Sequence, residues 1–309
     1  MTNFRLPAAP FLVVLAAAPS PALAQDEAAA SADPLTVASA QLAPALPAEP
    51  LWTAAVSAGI SARDDGPDGS WGSLSLTRRI GRGYVRGSLM RYHGTLLQAD
   101  VALPSDYTVG TIGAGGNFDN WVLDGWASYG RQDYGRISAA ATNGGGSRSS
   151  TGAKNSPYWA LGADFGRVVP LGSGFYLTPT VAASFADGRL LRPAPTGSGL
   201  TDLETDEPTW STNAAVRIDH AFGPSGVHYA GMSISRNWTS NGVSALRLRR
   251  GEQGFELDSK HYADGWSEAG ATASMKLGRS LYLDLFATRS IGLDAGNITA
   301  AGMTLRKAF

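Results

Sequence analysis

Residues 296–309 read GNITAAGMTLRKAF, a strand-like segment that stops on an aromatic, Phe309. Successive side chains of a strand take opposite faces, so Met303, Leu305, Lys307 and Phe309 share one face while Thr304 and Arg306 share the other. Eleven earlier segments of similar length alternate in the same way, and nothing between them reads as a soluble core helix. Repeated half-apolar strands of this kind predict an all-β fold, a transmembrane antiparallel up-and-down β-barrel.

The twelve predicted strands are 51–62, 71–79, 83–93, 107–117, 121–131, 157–169, 175–186, 209–221, 227–238, 266–277, 280–289 and 297–309. In the first, Ala54, Val56, Ala58, Ile60 and Ala62 oppose Thr53, Ser57 and Ser61. Near Trp210 the contrast is sharper: Ala214, Val216 and Ile218 oppose Ser211, Asn213, Arg217 and Asp219. A strand with one apolar and one ionic face needs lipid on one side and water on the other. The connections alternate as well, with short turns at 80–82, 118–120, 170–174, 222–226 and 278–279 and longer or more polar loops at 63–70, 94–106, 132–156, 187–208, 239–265 and 290–296. Outer-membrane barrels keep tight turns at the periplasm and long loops outside, which sets both ends of the barrel in the periplasm. Within 239–265, Val243 to Arg249 and Phe255 to Tyr262 flank a turn-like Gly251-Glu252-Gln253-Gly254. Inserted into the wall this hairpin would make fourteen strands. Arg247, Arg249 and Arg250 favour an external hairpin instead, because charge on the lipid face is costly.

The N-terminus agrees with export. Arg5 precedes an apolar run from Ala8 to Ala18, and Ala22-Leu23-Ala24 precedes Gln25, the form of a cleaved secretory signal peptide. Residues 25–50 are rich in Ala and Pro and read as a periplasmic leader or partial plug. No later window has the roughly 18 consecutive apolar residues of a membrane-spanning helix. A membrane protein built from this chain must therefore be a closed barrel, the other way to satisfy every backbone group in hydrocarbon. The composition suits that reading, with 38 glycines, eight tryptophans, ten tyrosines and ten phenylalanines. With no cysteine there is neither a disulfide framework nor a thiolate metal site, and a net charge of −1 gives no basic surface for nucleic acid.

Trp52, Trp71, Trp121, Trp159, Trp210, Trp238 and Trp266 fall toward strand ends, as aromatic girdles at the two interfaces require. Asp124, Asp164, Arg217, Asp219, Glu268, Lys276 and Asp284 are candidate lumen-lining residues. They either shape an ion-selective field or cross-pair and pack a closed interior. The acids Asp202, Glu204, Asp206 and Glu207, and Asp64, Asp65 and Asp68, are solvated loop residues unless several converge on a divalent cation. Four histidines, His93, His220, His228 and His261, stand alone, without a Gly-x-Ser-x-Gly elbow, a His-Glu-x-x-His motif or a phosphate-binding loop. No catalytic residue, cofactor or metal site is expected.

Taken with GGNFDNWVLDGWASYGRQDYG (115–135), PLGSGFYLTPTVAASF (170–185), GWSEAGATASMKLGRSLYLDLFATRSIG (265–292) and AGMTLRKAF (301–309), residues 51–309 resemble the C-terminal translocator barrel of bacterial autotransporters. The resemblance implies a twelve-stranded barrel in the outer membrane of a Gram-negative bacterium. It also implies that the outer-membrane assembly machinery reads the last strand, a role that falls to Phe309 with Leu305 and Met303. Lys307 departs from such signals, which carry an apolar or aromatic residue there, and is expected to snorkel toward the interface. Only residues 25–50 separate the predicted signal from the barrel, so a barrel without a substantial passenger is expected, in a structural or translocator-type role. The alternatives are a porin-like passive channel and, behind it, a lipid-modifying enzyme. The expected partners are outer-membrane lipid, lipopolysaccharide and the assembly machinery.

Overall fold

The computed structural model describes residues 51–309 apart from 65–67, 98–101, 141–146, 195, 198–200, 224–227, 252–253 and 295. The predicted signal 1–24 and leader 25–50 lie outside the described residues. Sixteen strands follow in order: β1 (Trp52–Arg63), β2 (Gly69–Ile80), β3 (Gly83–Leu97), β4 (Ala102–Phe118), β5 (Trp121–Tyr134), β6 (Ile137–Ala140), β7 (Ser147–Ser150), β8 (Ala153–Arg167), β9 (Val169–Gly172), β10 (Phe175–Arg192), β11 (Leu203–Asp206), β12 (Thr209–Phe222), β13 (His228–Gly251), β14 (Gly254–Gly278), β15 (Leu281–Ile291) and β16 (Ile298–Ala308). Twelve of them form the wall, each antiparallel to its sequence neighbour, with β5 paired to β8 and β8 to β10 across the short connecting elements. The wall closes where β1 pairs with β16, from Thr53 opposite Ala308 to Arg63 opposite Ile298. Closure leaves no sheet edge in the hydrocarbon, the condition under which strands can span it.

Side-chain direction follows the alternation. Val56, Ile60, Leu74, Leu76, Leu89 and Ile112 stand exposed on the outer face, while Ser73, Asp124, Ser128, Ser211 and Asp219 are buried on the inner one. The turns at the N-terminal end are tight. Asp119 and Asn120 both take positive φ (55° and 72°), the conformation of a two-residue hairpin whose twist matches the strands, and Asp and Asn tolerate it.

The strands run further on the external side than the sequence predicts. Segments read as loops, 94–106, 132–156 and 187–208, contain the ends of β3, β4, β5, β8 and β10, the small β6–β7 hairpin, and β11 laid against β10. Beyond the bilayer both faces of a strand meet water or other protein, so the two-sided contrast that marks a spanning segment disappears. The segment 239–265 is settled as an external hairpin: β13 and β14 continue as one ladder to Gly251 opposite Gly254, with a register shift between Thr239 and Val243. Their wall neighbours stop lower, at Ser211 opposite Thr239 and Ser267 opposite Ile291. The wall keeps twelve strands, and the side chains of Arg247, Arg249 and Arg250 lie outside the described residues.

Candidate functional site

A barrel acts through its inner wall, its closing seam and its two rims. On the inner wall the predicted charges are mostly paired. Arg86 on β3 donates through Nη2 to Asp124 Oδ1 on β5 at 3.0 Å, and Tyr84 donates its hydroxyl to the other carboxylate oxygen. Arg217 holds Asp219 through Nε at 2.8 Å and reaches Thr272 Oγ1 at 3.0 Å. Arg306 embraces Asp284 with Nε and Nη2, Ser274 donates to Asp284 Oδ1 at 2.6 Å, and the guanidinium lies over the Tyr282 ring. Asp164 stands opposite Asp124 in register; neither it nor Glu268 has a hydrogen bond or ion pair among the described residues. Lys276 sits at the periplasmic mouth over the Tyr282 ring, 5.9 Å from its centroid. Of the two prospects for these residues, Asp124, Arg217, Asp219 and Asp284 follow the cross-paired one.

Two predicted girdle residues are not on the girdle. Trp71 and Trp266 are buried on the inner face, because each falls on the inward parity of its strand, opposite Gly59 and Asn237 respectively. Trp71 stacks with Phe286, centroids 6.0 Å apart, over Gly59 and Gly302. A Cβ on Gly302 would lie 2.5 Å from the Phe286 ring and one on Gly59 2.6 Å from the Trp71 indole, so the two glycines are what lets these rings lie flat. Trp121, Trp159, Trp210 and Trp238 do stand exposed outside, and Trp52, of outward parity, lies under the Arg78 guanidinium. Phenylalanine and tyrosine supply much of the remainder. Trp121 stacks on Phe165 near the periplasmic end, while Trp159, Phe185 and Trp210 form a continuous run near the external end, with Tyr129 exposed beside Trp159. Phe175 and Phe185 mark the two levels on β10. Ten residues at ~3.3 Å each, tilted ~40°, separate the belts by about 25 Å, the height of a barrel's apolar band.

At the seam Phe309 and Trp52 exchange backbone hydrogen bonds of 2.9 and 3.0 Å, and Thr304 Oγ1 donates to Ser57 Oγ at 2.8 Å. Met303, Leu305 and Phe309 stand exposed on the outer face. Lys307 shares that face but turns its Nζ to the Arg279 carbonyl at 3.0 Å, in the β14–β15 turn. Its charge therefore leaves the lipid at the periplasmic rim.

The external rim holds a polar cluster that no sequence pattern announces. Glu207, between β11 and β12, accepts from Thr205 Oγ1 (2.7 Å), Arg192 Nη2 (3.1 Å) and Asn241 Nδ2 (3.1 Å), and His261 Nε2 lies 3.1 Å from it. Burial would raise this carboxyl, but its contacts with His261, Thr205 and Asn241 and the Arg192 charge outweigh burial and hold it at about 2. The neighbouring acids go elsewhere: Asp202 to Ser150 and the Ala194 amide, Glu204 to Ser156, Asp206 to Arg189. They do not converge, and no group of three metal-ligating side chains forms among the described residues. Asp64 pairs with Arg289 through both carboxylate oxygens, at 3.0 and 2.6 Å, and Asp65 lies outside the described residues. Of the other histidines, His93 pairs with Asp106 at 2.6 Å, His220 stacks on Phe175, and His228 accepts from the Lys276 amide.

The external half of the lumen also carries a packed core of Tyr107, Tyr134, Tyr158, Ala160, Ala186 and Leu190, none of which was among the predicted lumen-lining residues. The partners Arg86, Tyr84, Arg306 and Ser274 were also missed. Strand parity marks each of them as inward, and that signal was available.

Comparison with known proteins agrees with this geometry. The autotransporter beta-domain family matches residues 70–287. The translocator domain of the autotransporter NalP from Neisseria meningitidis is similar at a TM-score of 0.65 and 15% identity, covering 96% of this chain and 100% of that one. The beta domain of the Bordetella autotransporter BrkA gives 0.60 and 16%, covering 84% and 100%. A COG4313 outer membrane channel from Pseudomonas putida F1 gives 0.53 and 13%, covering 86% and 97%. At these identities the structural likeness speaks to fold alone, and no curated protein matches the sequence. With its family match and its closed twelve-stranded wall, the chain belongs to the autotransporter beta-domain family and is a translocator-type barrel of the Gram-negative outer membrane.

Proposed function

We propose that residues 1–24 are removed as a signal peptide, that residues 25–50 occupy the barrel from its periplasmic mouth, and that the barrel serves a structural or translocator-type role without a catalytic step. The observation carrying this reading is where the wall begins. Leu51 accepts from the Arg79 amide at 2.8 Å beside the Trp52–Phe309 pair, so the described wall begins at that mouth. The cross-paired interior supports the same reading, since Arg86–Asp124, Arg217–Asp219 and Arg306–Asp284 offer few free charges to a permeating ion. In this account the assembly machinery reads Phe309, Leu305 and Met303, and outer-membrane lipid and lipopolysaccharide surround the wall.

Planar-bilayer conductance of refolded 25–309 and 51–309 tests the proposal. The longer chain is expected to be nearly silent and the shorter to conduct. Equal, steady conductance in both, altered by Asp164→Asn or Arg217→Gln, would replace it with a passive channel.

A further inference from the structure

We propose that the outer face of β3, β4 and β5 holds a site for the phosphate of lipopolysaccharide, formed by Arg91 and Arg131 on either side of Thr108. The proposal deepens the lipid partnership above and rests on that outer-membrane orientation. Register sets the three residues side by side: Arg91 pairs with Thr108 and Thr108 with Arg131. Neighbouring strands are ~4.8 Å apart, so the two arginine backbones stand about 10 Å apart, and their side chains can converge on one anion above the threonine hydroxyl. All three are exposed on the outer face.

Their height fits a phosphate. Arg131 follows Tyr129 by two residues on the same face of β5, and Tyr129 pairs with Trp159 in the external aromatic belt. The arginines therefore stand just above the level where acyl chains end and headgroups begin. Below them Gly110 separates Leu89 and Tyr129. A Cβ there would meet only the Tyr129 and Ser88 carbonyl oxygens, at 3.8 and 4.0 Å, leaving a shallow apolar trough that suits an acyl chain.

The charges fit as well. Neither arginine forms an ion pair among the described residues; Arg131 donates only to the neutral Asn155 Oδ1, at 3.2 Å. The carboxylates two residues further along the same face, Asp106 and Asp133, stand opposite each other and turn to other partners, Asp106 to His93 and Asp133 to the Asn155 amide at 2.7 Å. Two guanidiniums facing lipid at headgroup level without a counter-ion call for an anion from the membrane. Planar guanidinium groups match phosphate geometry, and the lipid on this side of an outer membrane is lipopolysaccharide.

The full chain, extracted from outer membranes in mild detergent and exchanged repeatedly, is expected to retain lipopolysaccharide. Retention should fall on the order of tenfold in Arg91→Gln/Arg131→Gln, consistent with loss of charge-assisted bonds, and should not change in Arg236→Gln, another exposed arginine on the outer face. Dephosphorylated lipopolysaccharide should fail to reload the wild type, and phosphatidylglycerol should fail to displace the native lipid. Unchanged retention in the double variant, reloading without phosphate, or equal displacement by phosphatidylglycerol would each overturn the assignment. Heat-modifiable migration verifies that each variant is a folded barrel. If the double variant is not, Arg91→Gln and Arg131→Gln singly should each lower retention about threefold. Retention is read on lipid and not on conductance, so failure here leaves the conductance test standing, and the reverse.

Discussion

In the wall, Leu74 and Leu76 on β2 face out while Ser73, Ser75 and Thr77 face in; in the crown above it, Glu207, Arg192 and Asn241 are buried among one another. The wall is ordered by its two solvents. Lipid and lumen dictate each side chain by parity, and the closed antiparallel ladder supplies backbone partners from strand to strand. The crown has water all round and is ordered by particular contacts, the carboxylate of Glu207 tying β10, β13 and β14 together. A change in the wall should therefore act through parity and depth, and one in the crown through the loss of a named partner.

The largest effect separating the two regions is expected from Glu207→Ala. It leaves the Arg192 guanidinium buried without its carboxylate, a loss of about 3–5 kcal/mol to the crown. Limited proteolysis should open the external segments while heat-modifiable migration of the wall persists. Acid should mimic the substitution. The folded carboxyl sits at about 2, below its ordinary 4.5, so its stabilisation is complete above pH ~4.5 and is lost as pH falls through ~2. Protection of the crown amides, taken relative to intrinsic exchange at each pH, should fall along that descent in the wild type and stay flat in Glu207→Ala.

For the wall the sharpest probe is Ile112→Arg, on the outer face between Thr108 and Phe118. A cation at mid-depth costs about 2–4 kcal/mol, and the same substitution near an interface much less; urea refolding into lipid vesicles reads the difference. Gly302→Val probes the inner side, where a Cβ would press into the Phe286 ring. Overpacking of this kind costs about 1–3 kcal/mol, and Phe286→Ala should recover part of it. The smallest effect is predicted for Asp64→Asn. The Asp64–Arg289 pair holds the Asp64 carboxyl below its usual range mainly through the Arg289 hydrogen bonds, but it is exposed, and the refolding midpoint should not move measurably.

The same contrast decides what could be read in the sequence. Strand number, closure and the side of the long connections were legible because bilayer-spanning residues must alternate. Trp71 and Trp266 were misread because closeness to a strand end was allowed to outweigh parity; both lie on the inner face with Gly59 and Asn237. The paired lumen was half legible: Asp124 and Asp284 were found without Arg86 and Arg306, which parity also marks. The Glu207 cluster was not legible at all. Residues 192, 205, 207, 241 and 261 share no period, and only the meeting of β10, β11, β13 and β14 outside the bilayer brings them together.

The closed wall is tested most directly by cross-linking its seam. The chain has no cysteine, so Ser57→Cys/Thr304→Cys introduces a single pair, at residues directly opposite one another on β1 and β16. Their separation of about 4.5–5.5 Å suits a disulfide. Oxidation of the folded protein in outer membranes should join them and speed migration of the denatured, unreduced chain. Ser57→Cys/Ala300→Cys, four residues out of register, should remain open. A heat-modifiable barrel that fails to cross-link at 57 and 304, or that links equally at 57 and 300, would contradict the closure.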